Sequence, residues 1–322
     1  MVPEVVAKVA EECEVSSLLR LAYQLEISVT FRSAGTSLSG QAITDSVVVL
    51  LAGNWNGVRL ESNGERIALE PGVIGSRAND ILKPCGRKIG PDPASINFAM
   101  IGGIAANNAS CMCCGVDFNS YRTLHSMRII LADGHLLDTN DHEICERFRR
   151  NRRELLDSLG SLAYQVCSNT KLSDRIKRKY QIKNTTGYSL NALVDYHDPI
   201  EILQHLMIGS EGTLGFISEI TCRTIPDPAH KGTALVFFPD IVSACSVVTE
   251  LQKQQIDAVE IFDRSSLKVF EEQLTAPKHL KSLQGDACAL LIETGDRQAN
   301  VRDSKVSKII KLLSTKKVLM EP

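Results

Sequence analysis

The sequence predicts a chain of mixed helices and strands arranged as two successive units, and three observations carry that prediction. Short apolar runs such as Val5–Val9 and Val47–Leu51 alternate with segments whose apolar residues recur at helical spacing. Clusters of Gly, Ser and Asn punctuate them. Pro226-Asp227-Pro228 then interrupts regular structure, because two prolines within three residues remove donors and fix the backbone. The boundary divides residues 1–226 from 227–322, and with 43% apolar and 23% charged residues both units can bury a core.

In order, Val5–Val9 reads as a strand and Val15–Leu25 as an amphipathic helix with Leu18, Leu19, Ala22 and Leu25 on one face. Ile27–Phe31 is a second strand. Val47–Leu51, Gly57–Leu60 and Arg66–Leu69 are β-like runs separated by Gly53-Asn54 and Asn63-Gly64, which is hairpin chemistry. Helical spacing resumes over Ile74–Leu82 and in the charged stretch Glu143–Tyr180. There Arg147, Arg149, Arg150, Arg152 and Arg153 alternate with Glu143, Glu146, Glu154 and Asp157, the pattern of a solvated helix face. Phe216–Ile225 is β-rich. The second unit reads as strand Thr233–Phe238, helices near Ile241–Gln254 and Ser265–Glu272, strand Ala287–Glu293, helix Val301–Leu313 and a strand-like Lys317–Met320.

Composition excludes several classes. A net charge of −2 and only 5% aromatic residues give no electrostatic or stacking basis for nucleic-acid binding. No apolar run reaches the roughly 18 residues of a transmembrane segment, and Met1-Val2-Pro3-Glu4 lacks the basic start of a signal peptide. The ten cysteines are mostly isolated among apolar residues, as reduced thiols are. A cytoplasmic protein, or one peripheral to the inner membrane, is expected.

Three small-residue clusters carry the chemistry. Arg32-Ser33-Ala34-Gly35-Thr36-Ser37-Leu38-Ser39-Gly40-Gln41 directly follows a strand, and its backbone N–H groups and hydroxyls can close around a diphosphate. It lacks the G-x-G-x-x-G of a Rossmann turn and the Gly-Lys of a P-loop. Met100–Ser110 follows Gly90-Pro91-Asp92-Pro93-Ala94-Ser95, and its Gly and Ala let a flat ring or a ribityl chain approach the backbone while Asn amides give direction. Ile208–Ile217 places Gly209, Gly212 and Gly215 before a strand.

In their order and spacing, Phe31–Ala42, Lys88–Gly115 and Ile208–Glu219 resemble the FAD-linked oxidases of the vanillyl-alcohol oxidase and p-cresol methylhydroxylase (PCMH) type. The branch resembled holds D-lactate dehydrogenase, the glycolate oxidase flavin subunit and D-2-hydroxyglutarate dehydrogenase. Arg87–Ser95, Asn119–Leu124 and Lys183–Leu190 are most similar to its long bacterial members with a C-terminal iron–sulfur module. The resemblance implies an α+β fold: a PCMH-type FAD-binding domain of two α/β subdomains over 1–226, then a partial, truncated α+β cap domain over 227–322. It implies non-covalent FAD, with Ala34, Gly35, Thr36, Ser37, Leu38, Gly40 and Gln41 on the pyrophosphate. Pro91, Asp92 and Ser95 would line the cofactor, Gly102, Gly103, Ala106, Asn107 and Asn108 would lie against its ribityl and ring portions, and Glu211, Gly212, Gly215 and Ile217 on the adenine side.

By the same resemblance the activity is oxidation of a small D-2-hydroxy acid to a 2-oxo acid, with hydride passing to flavin N5 and a base taking the hydroxyl proton. The electron acceptor, or an iron–sulfur module, would lie outside this chain. An oxidase of another alcohol and a catalytically incomplete FAD-binding fragment are the alternatives. The late histidine motif of catalytic members, similar to H-P-x-x-G-D-G-N-L-H, has no counterpart: His125, His135, His142, His197, His205, His230 and His279 are isolated. No catalytic base and no metal ligand is therefore carried over. Cys111-Met112-Cys113-Cys114-Gly115 contains a C-x-x-C, and Cys111 stands where the long relatives usually have glycine; packed or cofactor-adjacent thiols are expected there rather than a metal site.

Overall fold

The computed structural model describes residues 1–51, 53–110, 114–273, 278–281 and 283–319, and the chain divides into two units, Met1–Pro226 and Asp227–Pro322. The first unit opens with strand β1 (Val5–Val9), helix α1 (Glu12–Gln24) and strands β2 (Val29–Arg32) and β3 (Val47–Leu51). They form a parallel sheet in the order β1-β3-β2, with Val47 opposite both Val5 and Val29. Central β3 is apolar at every position, as a parallel strand covered on both faces must be. α1 buries Val15, Leu19 and Ala22, one stripe at helical spacing.

A second, larger sheet follows. Its strands are β4 (Val58–Glu61), β5 (Arg66–Leu69), β6 (Arg87–Ile89), β7 (Leu124–Leu131), β8 (Leu136–Asp138) and β9 (Gly215–Pro226), in the order β4-β5-β9-β7-β8 with β6 also paired to β9. Every pairing is antiparallel. Helices α2 (Gly75–Leu82), α3 (Ile101–Asn107), α4 (Ser120–Thr123), α5 (His142–Asn151), α6 (Arg153–Ser168), α7 (Thr170–Lys179), α8 (Ala192–Asp195) and α9 (Pro199–Met207) complete the unit. Side chains that accept backbone N–H bonds start several of them: Asp141 for α5, Asn169 for α7, and Asp198 ahead of Pro199 for α9.

The Asn63-Gly64 hairpin forms between β4 and β5, with both residues left-handed at φ 55° and 86°. The one expected at Gly53-Asn54 does not, because β3 and β4 belong to different sheets. The linker between them instead carries Trp55 into the interior, where its indole N–H donates to Val9 O at 2.9 Å. Strands β7 and β8 and helix α9 had no distinct sequence signal.

The second unit is antiparallel α+β. β10 (His230–Phe238), β11 (Ala258–Phe262) and β12 (Cys288–Asp296) pair in the order β10-β12-β11, with helices α10 (Ile241–Gln252), α11 (Arg264–Glu271), α12 (Lys278–Lys281) and α13 (Ala299–Leu313). Val236 and Phe238 pack with Val247, Leu251, Ile309 and Leu313 on one face, while alternate Phe237 joins Leu267 and Leu280 on the other. The strand expected at Lys317–Met320 is not one among its described residues: Val318 N–H turns back to Lys316 O, and a single bond from Leu319 N–H reaches Phe237 O. Among the described residues no helix is long and apolar enough to cross a membrane.

Candidate functional site

A cavity of about 410 Å³ lies in the first unit, within the range of roughly 300–1,000 Å³ usual for ligand and cofactor sites. All three small-residue clusters line it. The segment after β2 contributes Arg32, Ser33, Gly35–Ser39, Gln41 and Ala42; α3 and its flanks contribute Ser95, Met100, Gly102, Gly103, Ala106, Asn107 and Ser110; the turn before β9 contributes Ser210, Glu211, Gly212 and Gly215. Phe31, Val49, Leu51, Phe216 and Ile217 give it an apolar wall, with Phe31 and Phe216 ring centroids 4.9 Å apart.

Helix α3 organises the three clusters. Ile101 and Gly102 N–H donate to Val73 O at 2.8 Å and Pro71 O at 3.0 Å, which fixes the start of the helix. A Cβ at Gly103 would stand 2.6 Å from Ser33 Oγ, so the first cluster touches the first turn of α3. At the other end Gly209 N–H donates to Ala105 O at 3.2 Å and Glu211 N–H to Ala106 O at 2.9 Å, while Asn107 Nδ2 donates to Glu211 Oε1 at 2.5 Å. The loop after β2 and the turn before β9 therefore meet α3 about 6 Å apart along its axis, four residues at 1.5 Å each.

Of the residues proposed from sequence, Gly35, Thr36, Ser37, Leu38, Gln41, Ser95, Gly102, Gly103, Ala106, Asn107, Glu211, Gly212, Gly215 and Ile217 line this cavity. Ala34, Gly40, Pro91, Asp92 and Asn108 do not. Asn108 is buried with left-handed backbone, φ 51°, and its Oδ1 accepts Tyr121 N–H at 3.3 Å, so it caps α3 and supports α4. Asp92 stands 3.9 Å from Lys88 Nζ, and Pro91 is buried. Cys111 and Cys113 lie outside the described residues, which leaves the C-x-x-C there; Cys114 is buried.

Two cations and a threonine in the wall were not assigned from sequence. Arg32 folds its guanidinium over Gly35 and donates from Nη1 to Ala42 O at 3.3 Å, joining the two ends of the first loop. Lys183 and Thr185 line the cavity from the segment between α7 and α8. Tyr188 OH at 2.7 Å from Thr213 Oγ1 and Ser189 Oγ donating to Ile208 O at 2.7 Å hold that segment against the third cluster. The signal for Arg32 was its position as the last residue of a strand entering a phosphate-type loop.

The arginine run lies away from the residues lining the cavity. Arg153 pairs with Asp157 at 3.4 Å on an exposed helix face, as the solvated-face reading expects, whereas Arg149 pairs with Asp198 at 2.6 Å and half-buried Arg152 with Asp133, ties to other elements. His205 is 4% exposed, stacked on Tyr196 at 3.9 Å with its Nδ1 2.7 Å from Glu201 O, and burial pushes its pKa down to about 4.

A diphosphate-bearing flavin nucleotide suits this wall: glycines that admit close backbone approach, a row of hydroxyls, two cations and an apolar side. The comparisons name the same group. The family model described as an FAD binding domain matches residues 3–140, and that described as the C-terminal domain of FAD linked oxidases matches residues 227–319. D-lactate dehydrogenase of Archaeoglobus fulgidus is 24% identical over 294 residues, 89% of this chain and 53% of that protein. D-2-hydroxyglutarate dehydrogenase of Escherichia coli is 26% identical over 288 residues, 85% of this chain and 27% of that protein. The chain thus spans about half or less of the length of these curated relatives. A solved structure of alkyldihydroxyacetonephosphate synthase shares the fold, with a TM-score of 0.65 over 97% of this chain and 51% of that one at 16% identity. With an FAD-binding domain ahead of an FAD-linked oxidase C-terminal domain, this chain belongs to the FAD-linked oxidases and takes FAD as its cofactor.

Proposed function

We propose that this chain is the FAD-binding portion of a flavin-dependent D-2-hydroxy acid dehydrogenase of the D-lactate or D-2-hydroxyglutarate type. The observation that carries the reading is the convergence of three small-residue clusters on α3, in a chain matched over most of its length by relatives named for those activities. In this reading the loop Ala34–Leu38, with Gly40 and Gln41, holds the pyrophosphate through N–H dipoles and hydroxyls. On the second segment Ser95 borders the cofactor. Gly102, Gly103, Ala106 and Asn107 accommodate the ribityl and ring portions, with Asn108 ending α3 behind them, and Glu211, Gly212, Gly215 and Ile217 close the adenine side. Binding is non-covalent.

Bound FAD supplies a two-electron acceptor for the hydride of a substrate α-carbon, turning a 2-hydroxy acid into a 2-oxo acid. The chain's own residues bind and shape. Phe31, Val49, Leu51 and Phe216 keep water from one wall of the cavity, and Arg32 and Lys183 attract anionic groups to it. Electrons pass onward to an acceptor outside this chain, for which an iron–sulfur module fits the sequence resemblance.

Spectroscopy of the purified full chain tests the reading. Flavin absorbance that is released on denaturation is expected, followed by bleaching with D-lactate or D-2-hydroxyglutarate and dye-dependent rather than oxygen-dependent turnover. A colourless protein that cannot be reconstituted with FAD rejects it. Retained flavin that neither acid bleaches identifies a binding-only chain.

A further inference from the structure

The cavity is built from two lobes of the first unit. The parallel sheet supplies Phe31, Val49, Leu51 and the loop from Arg32, while the antiparallel sheet supplies Phe216 and Ile217. A ligand that touches both requires them at a fixed separation. α1 crosses from one lobe to the other, and its residues 12, 16 and 20, spaced by four along one face, all reach the antiparallel sheet. Glu12 accepts Arg128 Nε at 2.6 Å and Nη2 at 2.7 Å in a two-pronged pair, and also accepts Ser218 Oγ at 2.5 Å. Arg128 Nη1 donates to Asp138 Oδ2 at 3.0 Å, so β7, β8 and β9 are all engaged. Ser16 Oγ donates to Gly134 O at 2.5 Å and Arg20 Nη2 to the same oxygen at 3.5 Å, in the β7–β8 turn. A Cβ at Gly134 would stand 2.5 Å from both Ser16 O and Arg20 Cγ, which seats the helix against that turn.

We propose that Glu12, Arg128 and Ser218 form a positioning clamp that sets the separation of the two lobes and thereby the shape of the FAD cavity. Ser218 follows directly on the cavity residues Phe216 and Ile217, and the β7/β9 register shifts between Arg128 and Ile129 at that level. The clamp therefore grips the sheet immediately behind the wall it orients. Charges half-withdrawn from water give little net stability but enforce one geometry, because any displacement leaves a carboxylate or a guanidinium short of partners. Burial raises the pKa of Glu12, but the bonds from Arg128 and Ser218 outweigh it and hold the carboxyl below its ordinary value, so the pair stays ionised through neutral and mildly acidic pH.

The clamp rests on FAD occupying this cavity, and the experiment separates the two claims. Apo protein of the full chain is titrated with FAD for wild type, Glu12→Gln, Arg128→Gln, the double variant, Glu12→Asp and Ser218→Ala. The stability control is Ile202→Ala, a fully buried change on α9 against the opposite face of the sheet. The expected result is FAD affinity at least tenfold weaker in each single Gln variant, no further loss in the double variant, partial rescue by Glu12→Asp and a smaller loss in Ser218→Ala. Ile202→Ala, with an equal or greater fall in thermal midpoint, keeps wild-type affinity. Unchanged FAD affinity in Glu12→Gln, or an equal weakening by Ile202→Ala, overturns the clamp; wild type that binds no FAD overturns the cofactor assignment of the cavity instead. Should the Gln variants fail to fold, Ser218→Ala decides alone by the same comparison.

Discussion

At the scale of single residues, Gly103 and His205 allow separate tests of site and stability. Gly103 lines the cavity, and among the described residues the close neighbour of a new Cβ is Ser33 Oγ, which can rotate aside. Gly103→Val is therefore expected to fold with little change in thermal midpoint while its added methyls weaken FAD binding tenfold or more, about 1.4 kcal/mol, measured by titration of the apo protein. An unchanged affinity would remove α3 from the cofactor wall. His205 titrates instead with folding. Its folded pKa of about 4 lies below the unfolded value near 6.5, so the unfolded chain takes up a proton first as the pH falls. The stability it contributes is complete above pH 6.5 and declines down to about pH 4, by on the order of 3 kcal/mol at most. His205→Phe can keep the stack on Tyr196, and denaturant unfolding at pH 7 and pH 4.5 should show a smaller acid loss than in wild type. Equal losses would show that His205 is not the group responsible.

At the scale of elements, Asn108 shows how a residue read as a ligand contact becomes a cap. Small residues around it signalled close approach, but the sequence cannot say whether the partner is a cofactor or the next helix. In the fold it ends α3 in left-handed geometry and accepts Tyr121 N–H. Asn108→Ala is expected to destabilise by about 2 kcal/mol, from the left-handed strain and the lost bond, with urea unfolding as the measure. A change below about 0.5 kcal/mol would contradict the capping role. Elements with a single-chain signature were legible: the Asn63-Gly64 hairpin and the α1 stripe, where Leu19 and Ala22 are buried as expected while Leu25 lies past the helix end and is exposed. Strands β7 and β8 were not, since His125, Ser126 and Arg128 interrupt the apolar residues of β7 without the alternation of a half-buried strand. The Gly53-Asn54 error has the same root, because partner choice for β3 depends on strands distant in sequence. Within the site, Gly and Ser clusters were visible from composition, whereas Lys183 reaches the cavity only through the tertiary ties of Tyr188 and Ser189.

At the scale of the whole molecule, each unit has its own interior. Ile67, Met127, Ile129 and Met207 belong to the main core of the first unit, Val15, Trp55 and Phe216 to its second cluster, and Val236, Phe238, Leu290 and Leu313 to a core within residues 227–322. Every described residue lining the cavity precedes Pro226. Cofactor retention is therefore expected to survive removal of the second unit. A fragment ending at Pro226 should fold and bind FAD within about threefold of the full chain, a difference under roughly 1 kcal/mol, as measured by flavin titration of both apo proteins side by side. Calorimetry of the full chain should resolve a transition that FAD raises and one that it leaves in place, since ligand stabilises only the cooperative unit that binds it. If the fragment folds, judged by its circular dichroism and thermal transition, yet loses FAD tenfold or more, then the cofactor draws essential contacts from residues 227–322. In that case a site built on α3 alone is insufficient.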